Sequence, residues 1–266
     1  MTLRDRLQQY EESCEVELTK RLPLVIRSEL RNYKKISQNL EKPYCPELSE
    51  IMANAMLYSI VEIQDAVFGF CHSGECSFIL RNDMTQDYSP WLQNNVQNII
   101  STVSSLMTIG FYKYHKLCYE ELSLSGDPIF KTKIFPLPSI SEATNYVLWR
   151  QMTGMSNSVS EAAAYELEGK FGRDTAIKMM NGTSAADKAD LLLHHCGIDF
   201  YENYPPSFVN GIAAFKVPQI VGGSSKNKWH LEFDVPEFVD DKTFVSNILV
   251  NGRQLFKADM VDKIND

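Results

Sequence analysis

The chain has 266 residues, 44% of them hydrophobic and 23% charged, with a formal net charge of −8. That length makes one large domain or two small ones with a sizeable core, and the acidic balance argues against a generally basic nucleic-acid binder while leaving room for a local basic groove. No apolar run approaches the roughly 18 residues of a membrane-spanning helix, the polar opening at residues 1–12 has no apolar signal stretch, and the six cysteines form no CxxC pair, which points to reduced thiols in a cytoplasmic protein.

In chain order, Leu3, Leu7, Tyr10, Val16 and Leu18 predict a helix over 3–20 that leads into an apolar strand at 22–27. Arg27, Arg31, Lys34 and Lys35 follow as a basic cluster, which reads equally as a solvated loop or as a phosphate cradle. Leu48, Ile51, Met52, Ala55, Met56, Ile60 and Ile63 recur at helical spacing over 47–65. The next stretch, 66–80, has two apolar runs around His72-Ser73-Gly74-Glu75, a hairpin signature with Ser73-Gly74 at the turn. A second long helix is expected over 90–115 and a loop over 116–128. Alternation at 130–136 reads as a strand stopped by prolines. Ser139 and Glu142 have capping-box spacing for a helix through Gln151. The run 153–160, rich in Ser, Asn and Gly, is expected to interrupt that helix before it resumes at 161–171. Further helices are expected at 173–180 and 184–196, the latter stopped by Gly197. Strands are expected at 208–217 and 229–235, and a loose tail over the last ten residues. Five or six strands in the order β-α-ββ-α-β-α describe an α+β fold: an antiparallel-rich sheet with helices packed on one face, close to the palm of polymerases and cyclases. The expected division is a palm domain with a helical extension over 1–217 and a strand or loop extension of it over 218–266.

Few constellations carry chemistry. Cys71, His72 and Cys76 lack metal-ligand spacing, and neighbours on a strand point to opposite faces. His194-His195-Cys196 sits in a helix C-terminal turn, where histidines are common caps. Gly222-Gly223 lacks a dinucleotide-binding context, and no Walker loop or nucleophile elbow is present. Glu29 and Glu75 form the one pair to consider: if their strands are neighbours, both carboxylates face one cleft. A single carboxylate per strand is nonetheless a thin ligand set for two hard cations, and each glutamate reads equally as a structural or surface residue.

Six segments in order resemble the tRNA-His guanylyltransferase family, the 3′-to-5′ polymerases. Residues 130–151, ending in Trp149-Arg150-Gln151, resemble that family's F-D…N-Y…W-R-Q stretch, with Asn157-Ser158 after it. Residues 182–190, including Lys188, look like its G…[DE]-K-N-E stretch, and 196–205 like its F-G-I-N…P. Residues 26–33 sit where the family has [VI]-R-L-D-G-R-x-F, and 73–78 where it has S-D-E-x-S-F. The resemblance implies a palm fold, GTP or ATP as substrate, Mg²⁺ as cofactor, tRNA or another RNA as partner and a homo-oligomer (dimer or tetramer) or a hetero-partner. It implies nucleotide contacts from Arg27, Arg31, Lys34, Ser73, Asn157 and Lys188, and catalytic, metal-binding carboxylates at Glu29 and Glu75. The departures fall on the chemistry. Glu29 and Leu30 replace the family's Asp-Gly, Gly74 replaces its second metal aspartate, and Lys131 and Thr153 replace two further aspartates. The expectation is a catalytically degenerate member that survives as a binding protein. The alternative is an active nucleotidyltransferase with a rebuilt metal site.

Overall fold

The protein, seen here as a computed structural model, is described over residues 1–83, 89–221 and 224–252. The helix α1 (Leu3–Glu12) precedes β1 (Leu24–Leu30), the short α2 (Tyr33–Ile36), α3 (Pro46–Glu62) and the hairpin β2 (Ala66–His72) and β3 (Glu75–Leu80). There follow α4 (Val96–Cys118), β4 (Phe130–Pro136) and α5 (Ile140–Phe171). A helical cluster comes next: α6 (Arg173–Met180), α7 (Ala185–Leu191), α8 (Phe200–Asn203) and α9 (Pro206–Val209). The chain then returns to the sheet as β5 (Ile212–Val221) and β6 (Ser224–Glu232), and α10 (Lys242–Asn251) follows.

The six described strands form one antiparallel sheet in the order β4-β1-β3-β2-β5-β6. The strand period of two splits each strand between two cores. Leu24, Ile26 and Leu30 of β1 join Phe78 and Leu80 of β3 in a core closed by Ile51, Met52 and Met56 of α3 and Ile99, Val103 and Met107 of α4. Val25, Phe68, Phe70, Ile79 and Phe215 point the other way and are closed by Val147 of α5 and Val245, Ile248 and Leu249 of α10. The helices therefore cover both faces of the sheet, which corrects the one-face expectation. Strands read as near-continuous apolar runs when both faces are buried, and β2 is buried throughout.

The expected break at 153–160 is also corrected: α5 runs 32 residues without interruption. Its hydroxyls turn inward on the helix instead of breaking it. Thr153 Oγ1 donates to the Trp149 carbonyl at 2.8 Å and Ser160 Oγ to the Ser156 carbonyl at 2.6 Å. Ser139 caps the helix by accepting from the Glu142 amide, while the Glu142 carboxylate takes Asn145 rather than closing the box. Gly197 stops the 184–196 stretch in a left-handed conformation, φ 72°. Residues 206–209 are helical, so the strand expected from 208 starts at Ile212. The N-terminal helix ends at Glu12 and buries none of its side chains. Helix α10 had a signal in the spacing of Val245, Ile248 and Leu249 behind the N-cap Asp241. The tail over the last ten residues lies outside the described residues. No described helix is long and apolar enough to cross a membrane.

Candidate functional site

Strand register assembles the site. Glu29 lies opposite Glu75 across β1 and β3, and opposite Lys131 across β1 and β4. His72 closes the hairpin opposite Glu75. These residues share the sheet face that α5 covers. The sheet and α5 together enclose a cleft of about 330 Å³ lined by Glu29, Arg31, Tyr33, Ser73, Glu75, Lys131, Arg150 and Asn157 among others.

The two carboxylates do meet, but each meets cations first. Glu75 is gripped from both sides: Arg27 ion-pairs one carboxylate oxygen, and Arg150 Nε lies 2.6 Å from the other. Glu29 takes Arg27 at 3.2 Å and the Lys131 ammonium at 3.8 Å. Burial works to lower the Arg27 pKa, and the pairing with Glu75 outweighs it, so the guanidinium is held charged more firmly than usual. The Glu75 and Arg150 side chains are only 16% and 10% exposed, whereas Glu29 is 38% exposed. The Glu75 contacts are therefore the least screened by water.

Behind the carboxylates, the hairpin turn is shaped by two close approaches. A Cβ on Gly74 would lie 2.6 Å from Cδ2 of the Tyr33 ring, so the tyrosine occupies the space that a side chain at 74 would take. A Cβ on Gly154 would lie 2.4 Å from the His72 ring, so α5 passes over that imidazole only because residue 154 is glycine. His72 is buried, with Nε2 3.3 Å from the Val209 carbonyl and Nδ1 3.1 Å from Ser73 Oγ. A neutral ring that donates from Nε2 and accepts from the Ser73 hydroxyl satisfies both contacts. Burial pushes its pKa down to about 4, with the Arg150 charge acting in the same direction. Ser73 itself has φ 52°, a left-handed conformation that its hydroxyl contact with His72 helps to hold.

Gln151 anchors α5 at the depth the site needs. Its amide nitrogen donates to the Asn210 and Pro236 carbonyls, both at 3.0 Å, and its oxygen accepts from the Phe238 amide at 2.6 Å. A second cavity, about 410 Å³, adjoins the cleft across Tyr33, which lines both. Its walls include Lys34, Lys42, Pro43, Leu48, Glu161 and Tyr165. Of the residues expected to contact a nucleotide, Arg31, Ser73 and Asn157 line the cleft, Arg27 pairs its carboxylates and Lys34 lines the second cavity. Lys188 lines neither and donates to Ser160 Oγ of α5 at 3.0 Å. Tyr33, Gly154 and the ion-pairing roles of Arg150 and Lys131 were not anticipated. A lone glycine inside a helical pattern was the available signal for Gly154.

A sequence profile described as tRNAHis guanylyltransferase matches residues 4–138, half of the chain. The tRNA(His) guanylyltransferase of Neurospora crassa is 26% identical over 213 residues, which cover 76% of this chain and 69% of that protein. The tRNA(His) guanylyltransferase 1 of Arabidopsis thaliana is 26% identical over 224 residues, 81% of this chain but only 38% of that longer protein. Among solved structures, a bacterial tRNA(His) guanylyltransferase-like protein in complex with ATP superposes with a TM-score of 0.79 at 23% identity, covering 94% of this chain and 99% of that one. The Saccharomyces cerevisiae tRNA(His) guanylyltransferase superposes with a TM-score of 0.70 at 19% identity, covering 88% and 98%. These neighbours share the palm-like nucleotidyltransferase fold. With the profile spanning the strands and hairpin that build the cleft, the chain belongs to the tRNAHis guanylyltransferase family.

Proposed function

We propose that this protein binds a nucleoside triphosphate and RNA through the family fold but has lost metal-dependent nucleotide addition at this site. The observation that carries this reading is the clamp on Glu75 by Arg27 and Arg150 beside a turn whose residue 74 is glycine. Two Mg²⁺ ions need a shared set of carboxylate oxygens on octahedral shells. Here both carboxylates are already neutralised by three cations, and among the described residues no group of three or more His, Cys, Asp or Glu side chains is placed to hold a metal. The donor set does not fit a two-metal centre. Restoring a carboxylate at 74 would drive its Cβ into the Tyr33 ring.

What the chain retains suits binding. Arg31 and Asn157 offer donors for phosphate oxygens in the cleft, and the more apolar second cavity beside Tyr33 and Tyr165 has room for a base. The family and the ATP-bound structural neighbour support a nucleotide in this role.

A second reading, an active enzyme with a rebuilt metal site, is favoured by one observation: Glu29 and Glu75 are direct cross-strand partners on the cleft face. GTP and ATP incorporation into tRNAs with monophosphorylated, triphosphorylated or truncated 5′ ends, in Mg²⁺ and in Mn²⁺, separates the two. Nucleotide or tRNA binding without incorporation is the expected result. Incorporation that disappears in Glu29→Ala would establish the second reading.

A further inference from the structure

One face of α5 meets the edge of the sheet next to the cleft. The Phe135 ring of β4 and the Tyr146 ring of α5 pack at 5.6 Å, and Tyr146 meets Trp149 edge-on at 5.9 Å. The chain reverses between β4 and α5, so moving forward along the helix from Tyr146 corresponds to moving back along the strand from Phe135. Tyr146 sits at the level of Phe135, and Arg150 at the level of Glu75, Glu29 and Lys131, so Trp149 falls at the level of Lys133 and Lys131, which are exposed and lie on the same sheet face as Phe135. Because β4 is an edge strand, this groove between strand and helix is open on its outer side.

Trp149 is 54% exposed, high for an indole in the middle of a long packed helix. One ring face is stacked on the Arg150 guanidinium, 4.8 Å from the ring centroid, and one edge is on Tyr146. The remaining ring surface accounts for the exposure. Arg150 in turn holds Glu75 in the cleft, so the indole is fixed in orientation by the site itself. An oriented, half-exposed indole beside a row of cations suits a strand that carries flat bases on a polyanionic backbone.

We propose that Trp149 is a stacking platform for an unpaired base of an RNA strand whose phosphates run along Lys131 and Lys133. This rests on the RNA-binding reading above and adds the surface that performs it. The test uses a fluorescein-labelled single-stranded decauridylate and an unlabelled tRNA transcript against the full chain. Trp149→Ala should weaken binding of the decauridylate about tenfold or more, as loss of one base stack does. Trp149→Phe should retain most of the affinity. Lys131→Ala and Lys133→Ala should each make the affinity less sensitive to salt. The tRNA transcript should quench a tryptophan emission component that Trp149→Phe lacks. RNA binding by the wild type that is unchanged in Trp149→Ala, or that leaves the Trp149 emission untouched, overturns the platform alone. Absence of binding to either RNA by the wild type overturns the RNA reading and the platform together.

Discussion

Glu29 and Glu75 are the same residue type, face each other across two strands and differ in what surrounds them. Glu75 lies between two guanidiniums in a half-buried site; Glu29 is more exposed and shares one of them. Glu75→Gln should destabilise the protein by about 2–3 kcal/mol, because it leaves Arg150 without a counter-charge away from water and Arg27 with Glu29 alone. Glu29→Gln should cost less than about 1 kcal/mol, as exposed ion pairs do. Urea unfolding of the two variants tests this, and equal losses would contradict a buried clamp centred on Glu75. His72 adds a pH dependence. Its folded-state pKa, about 4, lies below the ordinary 6.5, so the unfolded chain binds the proton more readily. The stability that depends on keeping this ring neutral is complete above pH 6.5. It falls as pH drops toward 4, by at most about 1.4 kcal/mol per unit. The difference in unfolding free energy between the wild type and His72→Asn should shrink over that window, and a constant difference would show that His72 does not titrate as its burial implies.

Helix α5 sets the roof of the cleft, and its behaviour contradicts simple propensity. Glycine is about 1 kcal/mol worse than alanine inside a helix, so Gly154→Ala should stabilise an isolated α5. In the protein the new Cβ would press on the His72 ring, a buried group held by contacts at both ring nitrogens. The expected net effect is a loss of about 1–3 kcal/mol, as for other overpacked sites. Thermal unfolding of Gly154→Ala gives the sign directly, and a raised midpoint would mean that His72 yields. The Ser139 cap and the Gly197 stop were legible because a cap is a contact between residues a few positions apart. The continuity of α5 through 153–160 was not legible. A run of Ser, Asn and Gly carries the same signal whether it ends a helix or packs small residues against a neighbour, and here Gly154 and the buried Ser158 face the protein interior.

At the scale of the whole molecule, the family match ends at residue 138, but the core does not. The sheet face that carries the site is covered by residues from beyond that point: Val147 of α5, then Phe238, Val245, Ile248 and Leu249. Each large apolar side chain buried contributes about 1.5–3 kcal/mol, and a domain's net stability is only about 5–15 kcal/mol. A chain truncated after Glu232 should therefore fail to form a cooperative native state, seen as loss of a sigmoidal melt and as aggregation in light scattering. A sharp melt near that of the full chain would show that the sheet does not need its second cover.

The amino-acid sequence by itself determined the hairpin and its Ser73-Gly74 turn, the Ser139 cap and the Gly197 stop, the two-residue alternation that commits each strand to two faces and the order of elements of a palm-like fold. These follow from local geometry, in which each residue's conformation depends on neighbours a few positions away. It also placed Glu29 and Glu75 together conditionally, on their strands being neighbours, and it showed that Gly74 stands where the family has an acid. Only the tertiary structure decided what those carboxylates touch. Lys131 and Arg150 reach them from a strand and a helix distant in the chain, Arg27 bridges from β1 to Glu75 on β3, and Tyr33 fills the space over Gly74. Periodicity assigns a side chain to a face, but which charge sits above it depends on strand register and on how deep a helix settles, and packing at a glycine as far along the chain as Gly154 sets that depth.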